Sequence, residues 1–153
     1  MKAELSARRS ASGRILECHM TGLFSETEMV AAADELRRQT DAMDGKRHIV
    51  VADMRGMKTV HPAIARHMGE AIRYQRERGC VLCVHVSDDT VQRLQARRVA
   101  REFSPSDDVT IEVDSIDEAR KLAKSYEPYL DDPRYSTSIR AAIEIPLSTA
   151  AQP

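Results

Sequence analysis

Two short apolar runs constrain this chain more than any other feature. Residues 47–54, with His48-Ile49-Val50-Val51-Ala52-Asp53 at their centre, and residues 80–86 (CVLCVHV) hold almost no position suited to water. A strand with one wet face alternates polar and apolar side chains, whereas a strand covered on both faces reads as a continuous β-branched run. These two segments are therefore expected to be central strands. Between them Pro62 fits the first turn of a helix, Ile64, Met68, Ala71 and Ile72 fall at helical spacing, and Gly79 ends it. Strand, helix and strand, with both strands doubly covered, make a parallel crossover unit and commit the chain to a helix-covered sheet.

The rest of the sequence extends that unit. Residues 3–9 and 14–21 alternate with period two around Ser10-Ala11-Ser12-Gly13, which predicts a β-hairpin. Ser25 with Glu28 three residues on forms a capping box, followed by a stripe of Met29, Val30, Ala33, Leu36, Thr40 and Met43 that ends near Asp44-Gly45. Ser87 is the expected cap of a third helix, with Val91, Leu94 and Val99 inward and Pro105 as its stop. Residues 109–113 (VTIEV) predict a last strand. Ser115 caps a last helix whose stripe is Ile116, Ala119, Leu122, Ala123 and Tyr126, closed by Pro128. The order is ββαβαβαβα: an α/β fold with a mixed, mostly parallel sheet of about five strands and about four helices. The domain is expected to span 1–126. Residues 127–153 carry Pro128, Pro133, Pro146 and Pro153 and form a C-terminal extension, partly ordered or docking through Ile139, Ile143, Ile145 and Leu147.

Composition bounds the function. At 153 residues the chain is one domain, and with 4% aromatics and no Trp its core must be aliphatic. A net charge of −1 gives no general pull toward nucleic acid or anionic lipid. No apolar run approaches the ~18 residues of a membrane span. The charged N-terminus lacks an apolar signal region, and three Cys cannot all pair within the chain. Together these predict a reducing, cytoplasmic setting. The preference for Arg over Lys, with abundant Ala, points to a bacterial origin.

The chemistry-bearing residues favour structural roles. Cys80-x-x-Cys83 lies in a strand, where residues three apart are expected on opposite faces, so the pair reads as buried small hydrophobes. Cys83 with His85, and Cys18 with His19, fit no common zinc spacing, so no metal is expected. His67 borders its helix's apolar stripe. Asp53 at a strand's carboxyl end is expected to bind loop backbone N–H groups. Arg93, Arg97 and Arg101, with Arg98 beside them, form a basic stripe read as a solvated face. No phosphate loop or nucleophile motif occurs, so no catalytic residue and no cofactor are assigned.

The ordered set of segments resembles the STAS domain family, the SpoIIAA-like anti-sigma-factor antagonists and their relatives. Its carriers are Gly22-Leu23-Phe24 after the hairpin, the run His48–Met57, Arg78-Gly79 before residues 80–86, Ser87 with Val91 and Leu94, and Ser115-Ile116-Asp117-Glu118-Ala119. The resemblance covers about residues 3–126 and implies a non-enzymatic regulatory protein. The implied partner is a kinase-like anti-sigma factor or a sensing complex. The family's phosphoacceptor motif falls on His61-Pro62-Ala63-Ile64, which holds no hydroxyl, leaving Thr59 as the nearest candidate phosphorylation site. By the same resemblance the partner surface comprises Phe24, Ser25, Met57, Lys58, Thr59, Val60, His61, Pro62, Ile64, Ser87 and Asp88, with Met57, Val60 and Ile64 as exposed apolar anchors. No nucleic acid and no membrane span are expected. A sheet edge or the 127–153 segment offers a route to a homodimer. The competing expectation is a small-molecule or lipid-binding module on the same fold, with a pocket between helix and sheet lined by Met20, Phe24, Met57 and Met68.

Overall fold

The computed structural model describes residues 2–105 and 109–135. Its elements follow the predicted order: β1 (Glu4–Arg9), β2 (Ile15–Thr21), α1 (Glu26–Asp41), β3 (His48–Asp53), α2 (Pro62–Glu77), β4 (Cys80–Val86), α3 (Thr90–Phe103), β5 (Thr110–Val113) and α4 (Ile116–Tyr126). The five strands lie in the sheet in chain order, β1 antiparallel to β2 and every later pair parallel. Three successive right-handed crossovers that step the same way along a sheet place α1, α2 and α3 on one face. Among the described residues, α4 is the one long helix on the other face. Two short 3₁₀ turns, Glu127–Tyr129 and Pro133–Tyr135, follow, and Leu130 packs into the α4-side core. The tail positions 139, 143, 145 and 147 lie outside the described residues.

Local chemistry explains the element ends. Ser25 and Glu28 exchange both bonds of the capping box, 2.9 Å from the Ser25 N–H to Glu28 Oε1 and 3.2 Å from the Glu28 N–H to Ser25 Oγ. Ser115 Oγ accepts from the Glu118 N–H at 3.1 Å. At α2 the cap is His61, whose Nδ1 accepts from the Ala63 N–H at 3.0 Å ahead of Pro62. Gly22 has φ +87°, and a Cβ there would stand 2.6 Å from the Lys2 carbonyl oxygen, so only glycine fits where β1 passes the end of β2.

Three expectations are corrected. The cap of α3 is Asp89, which accepts from the Val91 and Gln92 N–H groups, while Ser87 is buried and donates to Gln92 Oε1 at 2.8 Å. The helix also packs by a face other than the expected one: Val91 and Leu94 are 63% and 53% exposed, and Gln92, Val99 and Ala100 point inward. On α1 the inward residue beside Met29 is Ala32, and Val30 faces outward. Finally, the β3–β4 register shifts between His48 and Ile49, which leaves Val81 as an extra residue in β4. The bulge inverts the alternation, so Cys80 and Cys83 join Cys18 on the same face instead of opposing one another.

Candidate functional site

The carboxyl edge of the sheet carries the predicted partner surface. Asp53, at the end of β3, is clamped by Arg55 through Nε at 2.9 Å and Nη2 at 2.7 Å, and accepts from the Arg55 N–H at 3.2 Å. Burial pushes this carboxyl upward, but the Arg55 hydrogen bonds, aided by nearby His19, outweigh it and hold Asp53 below its ordinary value. That is the loop-tethering role its position predicts. The following loop is held on both sides. Gly22 donates to the Gly56 carbonyl, Lys58 donates back to Gly22, and Asp88 Oδ1 accepts from the Gly56 N–H at 3.1 Å. Gln95 brackets Val60, accepting from its N–H at 3.1 Å and donating to its carbonyl at 2.6 Å.

These bonds sort the predicted surface residues. Ser25, Lys58, His61, Pro62 and Asp88 are exposed, and Thr59, Val60 and Ile64 are half-buried. Phe24, Met57 and Ser87 are buried. Met57, expected as an exposed anchor, is 7% exposed, and Val60 and Ile64 lean onto the same cluster as Phe24, Met20 and Met29. Met57 is thus turned inward instead of exposed, and Val60 and Ile64 are only partly accessible.

Met57 and Val60 line a cavity of about 450 Å³ between the helix layer and the sheet. Its β2–β3 end is apolar, with Met20, Met54, Met57 and Met68 among its walls. Phe24 belongs to the surrounding cluster but not to the wall. Toward β4 and β5 the floor changes to Cys83, His85, Thr110 and Glu112, and the roof to Gln75 and Arg76 of α2 and Gln92, Gln95, Arg97 and Arg101 of α3. Arg97, Arg101 and Glu112 are also exposed, so the polar end opens to solvent. Arg97 pairs with Glu112 at 2.6 Å, and Arg76 donates to Thr110 Oγ1 at 3.0 Å.

Two polar atoms at this end are notable. His85 is 8% exposed and Gln75 is 4% exposed, and neither His85 Nε2 nor the Gln75 amide nitrogen has a hydrogen-bond partner among the described residues. Burial drives the His85 imidazole down to about 4, so it is neutral near pH 7. Buried polar atoms without partners are uncommon, and in a cavity wall they mark positions where a guest can bond. Burial raises the Cys18 thiol, which removes it as a nucleophile. Among the described residues no group of three His, Cys, Asp or Glu side chains is placed to hold a metal, and no helix is long and apolar enough to cross a membrane.

Sequence reasoning found the methionines and the arginine stripe but missed Gln75, Gln92 and Gln95. The available signal was helical spacing: Gln92 and Gln95 fall in phase with Val99 on α3, and Gln75 with Met68, Ala71 and Ile72 on α2.

The geometry defines an α/β domain with a cavity beneath its three-helix face and a wider, more open groove on the α4 face, between α4 and the β1–β2 hairpin. Comparison with protein-family models, with curated proteins and with solved structures finds no match to this chain.

Proposed function

We propose that this chain is a non-enzymatic binding module that holds a small, largely apolar molecule between its helix layer and its sheet. The observation that carries this is the 450 Å³ cavity with its methionine-rich wall and its few converging polar groups. Ligand sites typically fall in the range of roughly 300–1,000 Å³ with that division of labour. Flexible thioethers adapt to a guest's shape, and they are concentrated here. The test is mass spectrometry of freshly purified protein under native and then denaturing conditions. The expected result is extra mass of a few hundred daltons that is released on unfolding and absent when Ala100, in the cavity wall, is replaced by Leu. Identical masses in both conditions, from several hosts, would count against this reading.

A second reading is favoured by one observation. The loop from Met57 to Pro62 is braced by Gly22, Asp88 and Gln95, while Lys58, His61 and Pro62 project from it. A braced loop with exposed side chains is preorganised for a protein partner, the role that the STAS resemblance implies. His61 supports the idea that such a partner is not released by phosphate at the usual place, because its imidazole already occupies the Ala63 N–H at the head of α2. A pull-down that loses its captured partner on His61→Glu would support it.

A further inference from the structure

We infer that the cavity takes an amphipathic anion, a medium-chain carboxylate lying across the sheet with its chain among the methionines and its acid group at the α3–β5 mouth. This rests on the binding-module reading above and adds the chemistry and direction of the guest. Three observations converge on it.

The first is the gradient of the walls. Along the sheet from β2 to β5 the floor passes from Cys18 and Met20 through Val50 and Ala52 to Cys83 and His85 and then to Thr110 and Glu112. Three strand spacings separate β2 from β5, about 14 Å. A guest that spans this run meets hydrocarbon at one end and polar groups at the other.

The second is which polar groups are still available. Gln95 is satisfied at both ends by Val60, and Gln92 accepts from Ser87 and donates to Met57 Sδ. Glu112 is taken by Arg97 through both of its oxygens. What remains is the Gln75 amide nitrogen, a donor, together with His85 Nε2, which can serve as one, and the cation of Arg101. Among the described residues Arg101 has no ion pair. A wall whose open groups donate calls for a guest that accepts.

The third is charge and access. Among the described residues at the mouth, Arg101 is left as a cation beyond the Arg97–Glu112 pair, so an anion gains where a cation would be repelled. The exposed arginines keep the head group near water, so its charge is not stripped of solvent, while the chain is buried.

The experiment titrates decanoate, decanol and decylammonium into the full chain by calorimetry in moderate salt at neutral pH. Decanoate has twelve non-hydrogen atoms. At roughly the 30 Å³ that a water takes in the liquid, these fill most of the cavity. The expected result is decanoate binding at least tenfold more tightly than decanol, with decylammonium weakest. Arg101→Gln should reduce that preference severalfold. Arg98→Gln, a change on the same helix but away from the cavity wall, should leave it intact. Equal binding of decanoate and decanol, or tighter binding of decylammonium, overturns the anion assignment and leaves the binding module standing. Binding of none of the three to folded protein overturns both, and Ala100→Leu distinguishes a true cavity guest by abolishing all binding without unfolding the chain.

Discussion

The two faces of one sheet are built by opposite means. On the α4 side a single helix of eleven residues packs over β3, β4 and β5 and leaves an open groove toward the β1–β2 hairpin. Ala119 and Ala123 let it come close, and Ile49, Val51, Leu82, Val84 and Val86 rise from the strands to meet it, with Tyr126 and Leu130 closing the end. On the other side three helices cover the sheet and still leave about 450 Å³ empty. The difference lies in α3. It leans on α2, where Gly69 lies beneath the Phe103 ring so tightly that a Cβ would come within 2.3 Å of Cδ2. Its inward residues are Gln92, Gln95, Ala96, Val99 and Ala100, too short or too polar to fill the space over β4 and β5. Helix count does not decide packing; the side chains aimed at the sheet do.

The largest test of the contrast is a deletion on the packed face. Leu82 is fully buried among aliphatic neighbours, so Leu82→Ala removes contacts and leaves a hole that cannot collapse. The expected loss is about 3 kcal/mol of unfolding free energy, within the usual range for such changes. Met68→Ala, at the cavity wall, should cost well under half of that in the same urea titration, since its neighbours are already incomplete. Equal costs would mean that the cavity is filled in solution.

Next in size is a pH effect on the hollow face. His85 titrates near 6.5 in an unfolded chain, and burial lowers it to about 4 in the fold. Between those values the unfolded chain holds a proton that the native state refuses. Stability is therefore complete above about pH 6.5 and declines as the pH falls toward 4, by roughly 3 kcal/mol from this group. His48 is displaced in the same direction, chiefly by burial, so the acid slope is shared. Denaturant titrations of His85→Leu at pH 7, 6 and 5 should show a shallower decline than the parent chain. An unchanged slope would remove His85 as a buried, neutral wall residue.

A matched pair of substitutions then gives opposite signs. Ala119→Leu pushes three extra carbons into the closed interface beneath α4 and should cost about 1–3 kcal/mol. Ala100→Leu places the same atoms in the cavity and should raise the unfolding free energy by about 1–2 kcal/mol, the roughly 2.4 kcal/mol from burying three carbons being offset in part by lost side-chain entropy. Both are read as shifts of the urea midpoint. A loss at both sites would show that α3 closes onto the sheet.

Much of this architecture is legible in the chain because its signals are local. The runs at 48–53 and 80–86, the Ser25–Glu28 box, Pro62 and the Ser115 cap each state an element and its end. What escaped was fixed by tertiary context. One bulge at Val81 moved Cys80 and Cys83 to a common face, and nothing in CVLCVHV announces it. The cap of α3 stands two residues later than Ser87, and a helix carrying Val91 and Leu94 on one side and Val99 and Ala100 on another does not declare its phase. With Gln92, Val99 and Ala100 turned inward, the cavity stays open beneath α3. It is a volume that no residue fills, and a sequence records only the residues present.

The smallest expected effect sharpens the comparison most. Leu82 and Leu94 are the same side chain on the two faces, one fully buried and the other 53% exposed. Leu94→Ala removes atoms that already touch water, so it should alter the unfolding free energy by no more than about 0.5 kcal/mol, as at other surface positions. Val91→Ala should behave alike. Both residues sit on a helix whose inward side borders a cavity, and a rotation of α3 would carry them into it. A loss above about 1.5 kcal/mol at Leu94, with Ala100→Leu no longer stabilising, would show that α3 spends most of its time with Leu94 turned inward. The hollow face would then be the state that a guest selects, and the contrast between the two faces would belong to the occupied protein alone.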